Sequence, residues 1–495
     1  MRNRILLYLI LLVIYGCSKN EQIPEDEIVA RIGDKVITVG EFIKRSEFTV
    51  RPPYCRNNYY IHKKIVLNSL IGEKLLALEA GTENELTMDP NFQAFIEGRK
   101  EQAMRQYFYY KEAFEPVKIS PEEIRKVYRI AGRRYKVSYF TISDTSLFRK
   151  VNFMLQNQKT SFEEVYTAIS GDTAVPKKEI RWFDPELPEI HQALFEEQPP
   201  QGTILRPFEI EEGKYLFIRV DGWVDRVIIS DHAAADRIHM IKEKLKQEKA
   251  SERYTEIVRK IMHGKKMYFY EDTFKKMVEI FGPIYLVSLK EKKELFNMKF
   301  WGKEIPQSSI PNIPKSLDEL NHLPFFSVDG EIWTVAEFRE YMKRHPLVFR
   351  KARLNKRNFA NQFKLAIVDM IRDYYITQKA YEKGYDQAPA VKYTVNMWVD
   401  HMLALYQKYK YLSSLQVDEK DQVKIVEEYM TPYLDSLQNK YSSIIEINIP
   451  VFEKIKLTRV DMIALQLDQP FPIVVPAFPL VTTDNRLDYG KIMGR

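Results

Sequence analysis

Side chains that could carry out chemistry are few and scattered along this chain. Of its eight histidines, only His232 and His239 fall on one predicted helix face, beside Asp231 and Asp236. A zinc site would need a third close ligand, and none is nearby, so a solvated helix start is the better interpretation. The sequence has no glycine-rich phosphate loop and no Gly-x-Ser-x-Gly elbow. We therefore expect no cofactor and no metal.

Cys17 has the clearest chemical role. It follows a basic start and an apolar run over residues 5–15, after which the sequence turns abruptly polar. That run is shorter than the roughly 20 residues that cross a bilayer and is typical of a signal-peptide core. Ile14-Tyr15-Gly16-Cys17 resembles a bacterial lipobox, with an ordinary secretory signal or an anchor helix as the alternative. The resemblance implies removal of residues 1–16 and lipidation of Cys17, whose two or more acyl chains give stable anchoring.

Such an anchor predicts a location in the cell envelope, lipid-anchored and facing the periplasm. Ser18 and Lys19 give no clear signal for retention at the inner membrane, and the outer membrane is favoured. Residues 17–27 form a polar tether whose root-mean-square span is roughly 20 Å. The folded part is thus expected close to the membrane surface.

Composition limits the remaining possibilities. Hydrophobic residues make up 45%, which excludes global disorder, and acidic and basic residues are interspersed, so the net charge of +7 predicts no nucleic-acid surface. Cys55 is the one thiol left over once Cys17 is lipidated, so an internal disulfide is not expected. The chain has 30 tyrosines, 28 phenylalanines and only 18 glycines, which favours long aromatic-rich helices.

The elements begin with a hairpin in residues 28–42, where Gly33-Asp34 marks the turn. Thr38 is a predicted helix cap, and Glu41 three residues later would complete a capping box. Helices follow through residues 65–78 and after Pro90, and Ser120-Pro121-Glu122-Glu123 starts another. The first helical segment is predicted over residues 28–133. The aromatic run 107–110 could bind unfolded chains, although packing of these side chains in the core is favoured.

An α/β module is predicted over residues 134–225, in the order strand, helix, proline-broken middle and strand. Helical periodicity returns over residues 226–302, and residues 303–325 carry four prolines and form a linker. The first pattern then recurs: Thr334 and Phe338 echo Thr38 and Phe42, and later pairs keep an offset of about 296–300 residues. Residues 326–495 are therefore predicted as a second helical copy with an extended tail.

This order of elements resembles the SurA-type periplasmic chaperones and their PrsA-like foldase relatives, in which a parvulin (PpiC-type) peptidyl-prolyl isomerase domain is inserted between helical chaperone segments. The resemblance covers residues 28–280 and is weaker over 326–415. It implies an α+β, mainly helical fold: a SurA-like helical chaperone core, an inserted parvulin-like module and a second helical copy of the core. The matching pieces of the module are Val137-Ser138-Tyr139-Phe140, Ser170-Gly171-Asp172, residues 177–183, Ala193-Leu194-Phe195 and residues 213–220.

The departures from the family bear on activity. Parvulins hold two facing histidines beside a cysteine or aspartate, and here those positions carry Tyr139, Leu216 and Asp172. Leucine neither donates nor accepts a hydrogen bond. The apolar wall would comprise Leu187, Ile190 and Phe195. The resemblance thus implies a degenerate, non-catalytic pocket.

The expected function is that of a membrane-tethered chaperone, a holdase or foldase, for unfolded outer-membrane or secreted proteins. An active prolyl isomerase with an altered site remains the enzymatic alternative. A structural subunit of an envelope assembly machine is the third, because client binding and fixed docking both need exposed apolar helical surface.

Overall fold

The computed structural model describes residues 23–157, 160–184, 186–211, 213–228, 230–286, 315–351, 354–417, 419, 421–457, 462 and 473–493. The predicted signal peptide, Cys17, most of the tether and residues 303–314 of the linker lie outside the described residues. Over the described part the chain is a mainly helical α+β protein, which confirms the predicted fold class at that level.

The regular elements are numbered in chain order. The strands are β1 (Ile28–Ile32), β2 (Lys35–Thr38), β3 (Arg133–Ile142), β4 (Lys177–Arg181), β5 (Phe208–Glu211), β6 (Lys214–Asp225), β7 (Met267–Phe269), β8 (Pro324–Val328), β9 (Glu331–Thr334), β10 (Ile445–Ile447) and β11 (Lys491–Ile492). The α-helices are α1 (Val39–Glu47), α2 (Tyr60–Ala80), α3 (Glu85–Met88), α4 (Pro90–Phe108), α5 (Pro121–Tyr128), α6 (Thr145–Asn157), α7 (Phe162–Ser170), α8 (Pro188–His191), α9 (Asp231–Met262), α10 (Glu271–Tyr285), α11 (Val335–Arg344), α12 (Phe359–Glu382), α13 (Pro389–Ser414), α14 (Gln422–Lys424), α15 (Thr431–Tyr441) and α16 (Ile449–Lys454). Single π-helical turns cover Tyr109–Phe114, Gln192–Glu196 and Ile425–Met430.

The smaller of two compact units, Tyr107–His263, is built on an antiparallel sheet with the strand order β4-β3-β6-β5. A buried apolar cluster covers each face of this sheet. One cluster involves α6 and α7, and the other involves the segment Pro188–Glu196 with α5 and α9. Because Ile241 of α9 is fully buried there, this unit extends beyond the predicted module of residues 134–225.

The larger unit joins the described residues up to Gln106 with those from Gly264 onward, and it contains two hydrophobic cores. The first core combines β1, β2, α1 and α2 with α13, α15, β10, α16 and the tail, residues 473–493. The second core combines β8, β9, α11 and α12 with β7 and α10. The corresponding sheets have the orders β11-β10-β1-β2 and β7-β8-β9.

The two cores are assembled by reciprocal exchange between the two halves of this unit. β10 pairs antiparallel with β1, and β7 pairs antiparallel with β8. The registers correspond: Ile445 lies opposite Ile32 as Met267 lies opposite Val328. Along the helices, α13 packs on α2, whereas α4 is hydrogen-bonded to α12 through Arg105 and Thr377 at 2.8 Å. Residues 326–495 were predicted as a separate second copy. Their described part instead shares both cores with elements from the first half of the chain.

The two hairpins end in helix caps that differ in one detail. Thr38 and Thr334 both accept a hydrogen bond from the backbone N–H three residues later. The Glu337 carboxylate accepts a hydrogen bond from the Thr334 N–H, which completes the capping box. Glu41 instead pairs with the Lys74 ammonium at 2.9 Å, so the predicted box at Thr38 is wrong in its second half. A buried ammonium ion competes for the carboxylate more strongly than a neutral backbone N–H does.

The helical periodicity predicted over residues 226–302 needs one correction: it is interrupted by β7, which separates α9 from α10. Near the end of the chain, the short strand β10 is followed directly by α16, because Pro450 fits the first turn of a helix. The capping box predicted at Ser120 and Glu123 is confirmed.

Candidate functional site

Four of the residues that match the parvulin pocket share one face of the smaller unit's sheet. Tyr139 of β3 lies opposite Ile218 of β6, and Leu216 lies two residues away on the same strand. Alternation along a strand places Tyr139 and Leu216 on one face, as diagonal neighbours. Both side chains are half-buried and pack against the cluster that contains Ile190 and Phe195.

The wall of this face comes from α8 and the π-helical turn Gln192–Glu196. Pro188 occupies the first turn of α8, where its missing N–H costs no hydrogen bond. Ile190 and Phe195 are buried, whereas Leu187, just before the helix, is 39% exposed. The half-buried Phe183 and Ile210 complete an apolar patch that can contact a proline or another apolar side chain.

Asp172 is not directed at this patch. It follows α7 and the left-handed Gly171, whose φ of +73° ends that helix. The Asp172 carboxylate accepts a hydrogen bond from the Ala174 N–H at 3.2 Å, so it stabilises its own turn. Among the described residues the Tyr139 hydroxyl has no hydrogen-bond partner, and Asp172 is not bonded to it. The structure therefore gathers the apolar positions of the predicted pocket and leaves its one acid in a surface turn.

His191 borders the patch and was missed by sequence reasoning. Its Nε2 lies 3.0 Å from the Trp182 carbonyl oxygen, and its ring centroid lies 4.8 Å from that of Phe195. Burial, with a smaller contribution from the Lys244 ammonium, lowers the pKa of His191 to about 4. The imidazole is thus neutral at physiological pH, and it donates to a carbonyl that fixes α8 to the end of β4. The sequence feature that could have pointed to His191 is its position next to Ile190, in the segment that was predicted to form the apolar wall.

This arrangement can bind but has little means of catalysing isomerisation. Rotation about a prolyl amide has a barrier of ~18–20 kcal/mol, and a catalyst must stabilise the twisted amide more than the planar one. Leu216 offers no polar atom to the amide, and Asp172 is engaged in its own turn. What the patch offers to a ligand is therefore apolar contact.

Buried ions, also missed by sequence reasoning, connect the two halves of the larger unit. Arg45 of α1 donates two hydrogen bonds to Glu73 of α2, at 2.7 and 2.8 Å, and both side chains are fully buried. His401 of α13 donates from Nδ1 to the same carboxylate at 2.7 Å. Burial alone would raise the pKa of Glu73, but the Arg45 guanidinium and His401 hold it well below its usual range. Burial lowers the pKa of His401, so the imidazole is neutral at physiological pH.

A second buried group lies beside the first. Lys74 pairs with Glu41 at 2.9 Å and with Asp400 at 3.0 Å, and Lys35 reaches Asp400 at 2.6 Å. Burial would lower the pKa of Lys74, but the Glu41 and Asp400 carboxylates raise it above its ordinary value. Every charge in this group is therefore compensated.

The second core has a corresponding arrangement. Asp373 of α12 accepts from His345 Nε2 at 3.1 Å and from Arg372 at 2.8 Å, and Glu101 of α4 pairs with Arg344 at 3.2 Å. Glu101 is the twelfth residue of a helix that begins with proline, as Asp400 is of α13. The shared position of these two acidic residues is the feature of the sequence that could have pointed to the ionic clusters. We interpret the clusters as structural, because their charged groups pair with one another where secondary-structure elements pack together.

Other candidates carry no chemistry. Cys55, predicted in a loop, lies in the 3₁₀ turn Pro53–Cys55 of the first core, and burial raises the pKa of its thiol to about 12. His232 forms an exposed ion pair with Asp236, and no cluster of three metal-ligating side chains occurs in the described ranges. In the aromatic run, Phe108 is buried and Tyr109 packs edge-on against Tyr254.

No helix in the part of the chain that the structure describes is long and apolar enough to cross a membrane. No protein-family model matches this chain, and no curated protein matches it significantly. Function must therefore be inferred from the chain's own residues and their geometry.

Proposed function

We propose that this protein is a membrane-tethered periplasmic chaperone that holds unfolded outer-membrane or secreted polypeptides. The observation that carries the proposal is the inserted unit: Tyr107–His263 forms a compact α/β unit between two stretches of chain that pack together in the larger unit. This is the arrangement implied by the resemblance to SurA-type chaperones. The two halves of the larger unit act as copies of one helical chaperone core.

The smaller unit is then a parvulin-like domain that binds clients without isomerising them. Its patch keeps apolar side chains at Ile190 and Phe195 and has Tyr139 and Leu216 at the histidine positions. A patch of this kind suits extended clients whose apolar residues are exposed. Anchoring through Cys17 keeps the protein near the membrane that outer-membrane clients must reach.

Suppression of aggregation by the chain from Ser18 onward tests the chaperone proposal. An unfolded outer-membrane barrel protein diluted from urea should stay soluble when this chain is present in slight excess, as measured by light scattering. An equal mass of an unrelated folded protein is the control. Unchanged scattering would refute the chaperone role.

A protease-coupled assay with a proline-containing peptide tests the absence of isomerase activity. We expect the rate of cis-to-trans conversion to equal that of the uncatalysed reaction. An acceleration that Asp172→Ala abolishes would show that the altered site is catalytic, and the holdase assignment of the smaller unit would then be wrong.

A further inference from the structure

The outer neighbour of β10 has no counterpart in the second core. In the first core, β11 lies parallel to β10 with Ile492 opposite Ile447, and the Met493 N–H donates to the Ile447 carbonyl at 3.0 Å. In the second core, β7 occupies the position of β10. Within the described residues no strand pairs with the outer edge of β7.

The equivalence of β7 and β10 is exact in hydrogen bonding. The Gly33 N–H donates to the Ile444 carbonyl beside the first hairpin, and the Asp329 N–H donates to the Lys266 carbonyl beside the second, both at 3.0 Å. At the other end of each pair, the bond from Asn448 to Val29 corresponds to that from Tyr270 to Phe325. The edge of β7 therefore has the same backbone pattern as the edge that binds β11.

The backbone of β7 is polar on this free side. Lys266 and Tyr270 bond to β8, and in an antiparallel pair such bonds fall on alternate residues. The N–H and C=O groups of Met267 and Phe269 consequently point away from β8. An unpaired row of this kind is a template for a further strand.

The exposed face of the same sheet carries one large apolar side chain on each of its two outer strands. Tyr268 lies opposite Ser327, which lies opposite Ile332, so the three residues form one row across the sheet. Tyr268 is 64% exposed and Ile332 is 53% exposed. An added strand would thus find both main-chain partners and an aromatic ring beside it.

We propose that the outer edge of β7 binds an extended segment of an unfolded client as an added parallel strand, in the position that β11 takes beside β10. This inference rests on the proposed chaperone function and names its mode of client recognition. Main-chain hydrogen bonds supply most of such an interaction, which makes it tolerant of client sequence.

The neighbouring side chains define the preferred client. The client residue opposite Phe269 would lie on the core side of the sheet, as Ile492 does beside Ile447; Ile492 is 38% exposed there, so the position favours an apolar residue without burying it fully. The residue opposite Tyr268 contacts the exposed ring and should be aromatic or β-branched. Strands of outer-membrane barrels are enriched in aromatic residues at their ends and alternate apolar with polar residues between them. Strands of this kind are therefore the ligand that the edge of β7 should bind.

Binding of a labelled ten-residue peptide to the chain from Ser18 onward tests this mode. The probe has aromatic and valine residues in a barrel-type strand pattern, and its control is the same peptide with N-methyl groups on alternate residues, which removes backbone donors. We expect fluorescence anisotropy to report binding of the probe and about tenfold weaker binding of the methylated peptide. Equal binding of both peptides would overturn the proposal.

Variants locate the site. Met267→Pro removes an outward N–H without removing a bond to β8, and it should abolish peptide binding. Tyr268→Ala should weaken binding severalfold, whereas Tyr59→Ala, at a tyrosine that is 69% exposed elsewhere, should leave it unchanged. Fluorescence of Trp333, which stacks on Phe326 in this sheet, verifies folding of each variant. Wild-type affinity in both β7 variants would overturn the proposal.

Hydrogen exchange separates the possible occupants. The amides of Met267 and Phe269 should exchange quickly in the free chain and slowly with the peptide bound. Slow exchange of these amides in the free chain would overturn the proposal. If that protection increased with protein concentration, a second copy of the chain would be identified as the strand that covers β7. If aggregation is suppressed but the amides of Met267 and Phe269 never gain protection, strand addition at β7 is wrong while the chaperone function stands. If the peptide binds here but aggregation is not suppressed, the chaperone function fails.

Discussion

The two cores of the larger unit share a design and differ in how they are closed. Each places a hairpin, a capped helix and a long helix against a strand and a helix from elsewhere in the chain. The first core is covered by the tail, which contributes Phe478 and Val481 and adds β11 to the sheet. The described part of the second core has no such cover. The first core is therefore closed by its own chain, whereas the described part of the second leaves the outer edge of β7 open, as the proposed binding mode requires.

The buried ions show the same difference. In the first core the Arg45–Glu73 pair is completely buried. In the second, Asp373 is held partly by Arg372, whose side chain is 35% exposed. A buried pair is costly to break because the remaining partner stays charged without compensation. The first core should thus depend more strongly on its central carboxylate than the second does.

The largest effect is expected from removing that carboxylate. Glu73→Ala leaves the Arg45 guanidinium buried without a carboxylate partner, keeping its hydrogen bond to the Ala477 carbonyl, and removes the acceptor of His401. We expect the free energy of unfolding to fall by about 3–5 kcal/mol. Urea unfolding followed by circular dichroism measures the change.

Asp373→Ala is the matched variant in the second core. Its partner Arg372 is 35% exposed and can turn toward water, whereas His345 and the more distant Arg105 are buried, so we expect a loss of about 1–3 kcal/mol. Equal losses at Glu73 and Asp373 would show that burial of the pair does not distinguish the cores.

A smaller effect is expected from a methyl group at each helix crossing. At Gly98 of α4, an added Cβ would lie 2.1 Å from the Arg344 carbonyl oxygen, which is backbone at the end of α11. At Gly72 of α2, it would meet only side-chain methyl groups, at 2.7 Å for Leu434 and 3.1 Å for Val481. Overpacking typically costs about 1–3 kcal/mol, and backbone yields less readily than a side chain.

Gly98→Ala should therefore lower the urea midpoint more than Gly72→Ala does. Alanine is the better helix former by about 1 kcal/mol, which acts against both losses. A Gly98→Ala protein as stable as the wild type would mean that α4 does not approach α11 this closely.

The two cap glutamates test how the cores use one sequence pattern. Glu337→Ala removes the exposed carboxylate that accepts from both the N–H and the hydroxyl of Thr334, and it should cost about 0.5–1 kcal/mol. Glu41→Ala removes one of the two carboxylates that compensate Lys74 and should cost about 1–2 kcal/mol. Thermal unfolding of the two variants measures the difference, and a larger cost at Glu337 would contradict the assignment of Glu41 to the ionic cluster.

Sequence patterns were sufficient where the determining contacts are local. Thr38 and Ser120 were predicted as caps because the hydrogen bond reaches only three residues along the chain. Tyr139 and Leu216 share one face of the sheet, as their match to the parvulin histidine positions implied. Pairing of Ala30 with Ile447 could not be predicted, because no local pattern specifies a partner so distant in sequence. Asp172 was expected at the pocket, but its own turn offered a nearer N–H.

The smallest expected effect is a pH dependence that arises in the first core. Burial lowers the pKa of His401 in the folded protein, whereas the unfolded chain has a histidine pKa of about 6.5. As the pH falls below about 6.5, the unfolded chain binds a proton that the folded chain does not, so the free energy of unfolding decreases. Glu73 favours the protonated imidazole, but burial, reinforced by the charges of Arg45 and Lys74, outweighs it.

His401→Asn retains an N–H donor for Glu73 but cannot titrate. Its free energy of unfolding should fall less steeply than that of the wild type between pH 7 and pH 5.5, when both are measured in urea. Glu73 does not contribute in this range, since its pKa lies well below the usual value for a glutamate. Parallel pH profiles would show that His401 is protonated equally in the folded and unfolded chains, which is incompatible with its burial between α2 and α13.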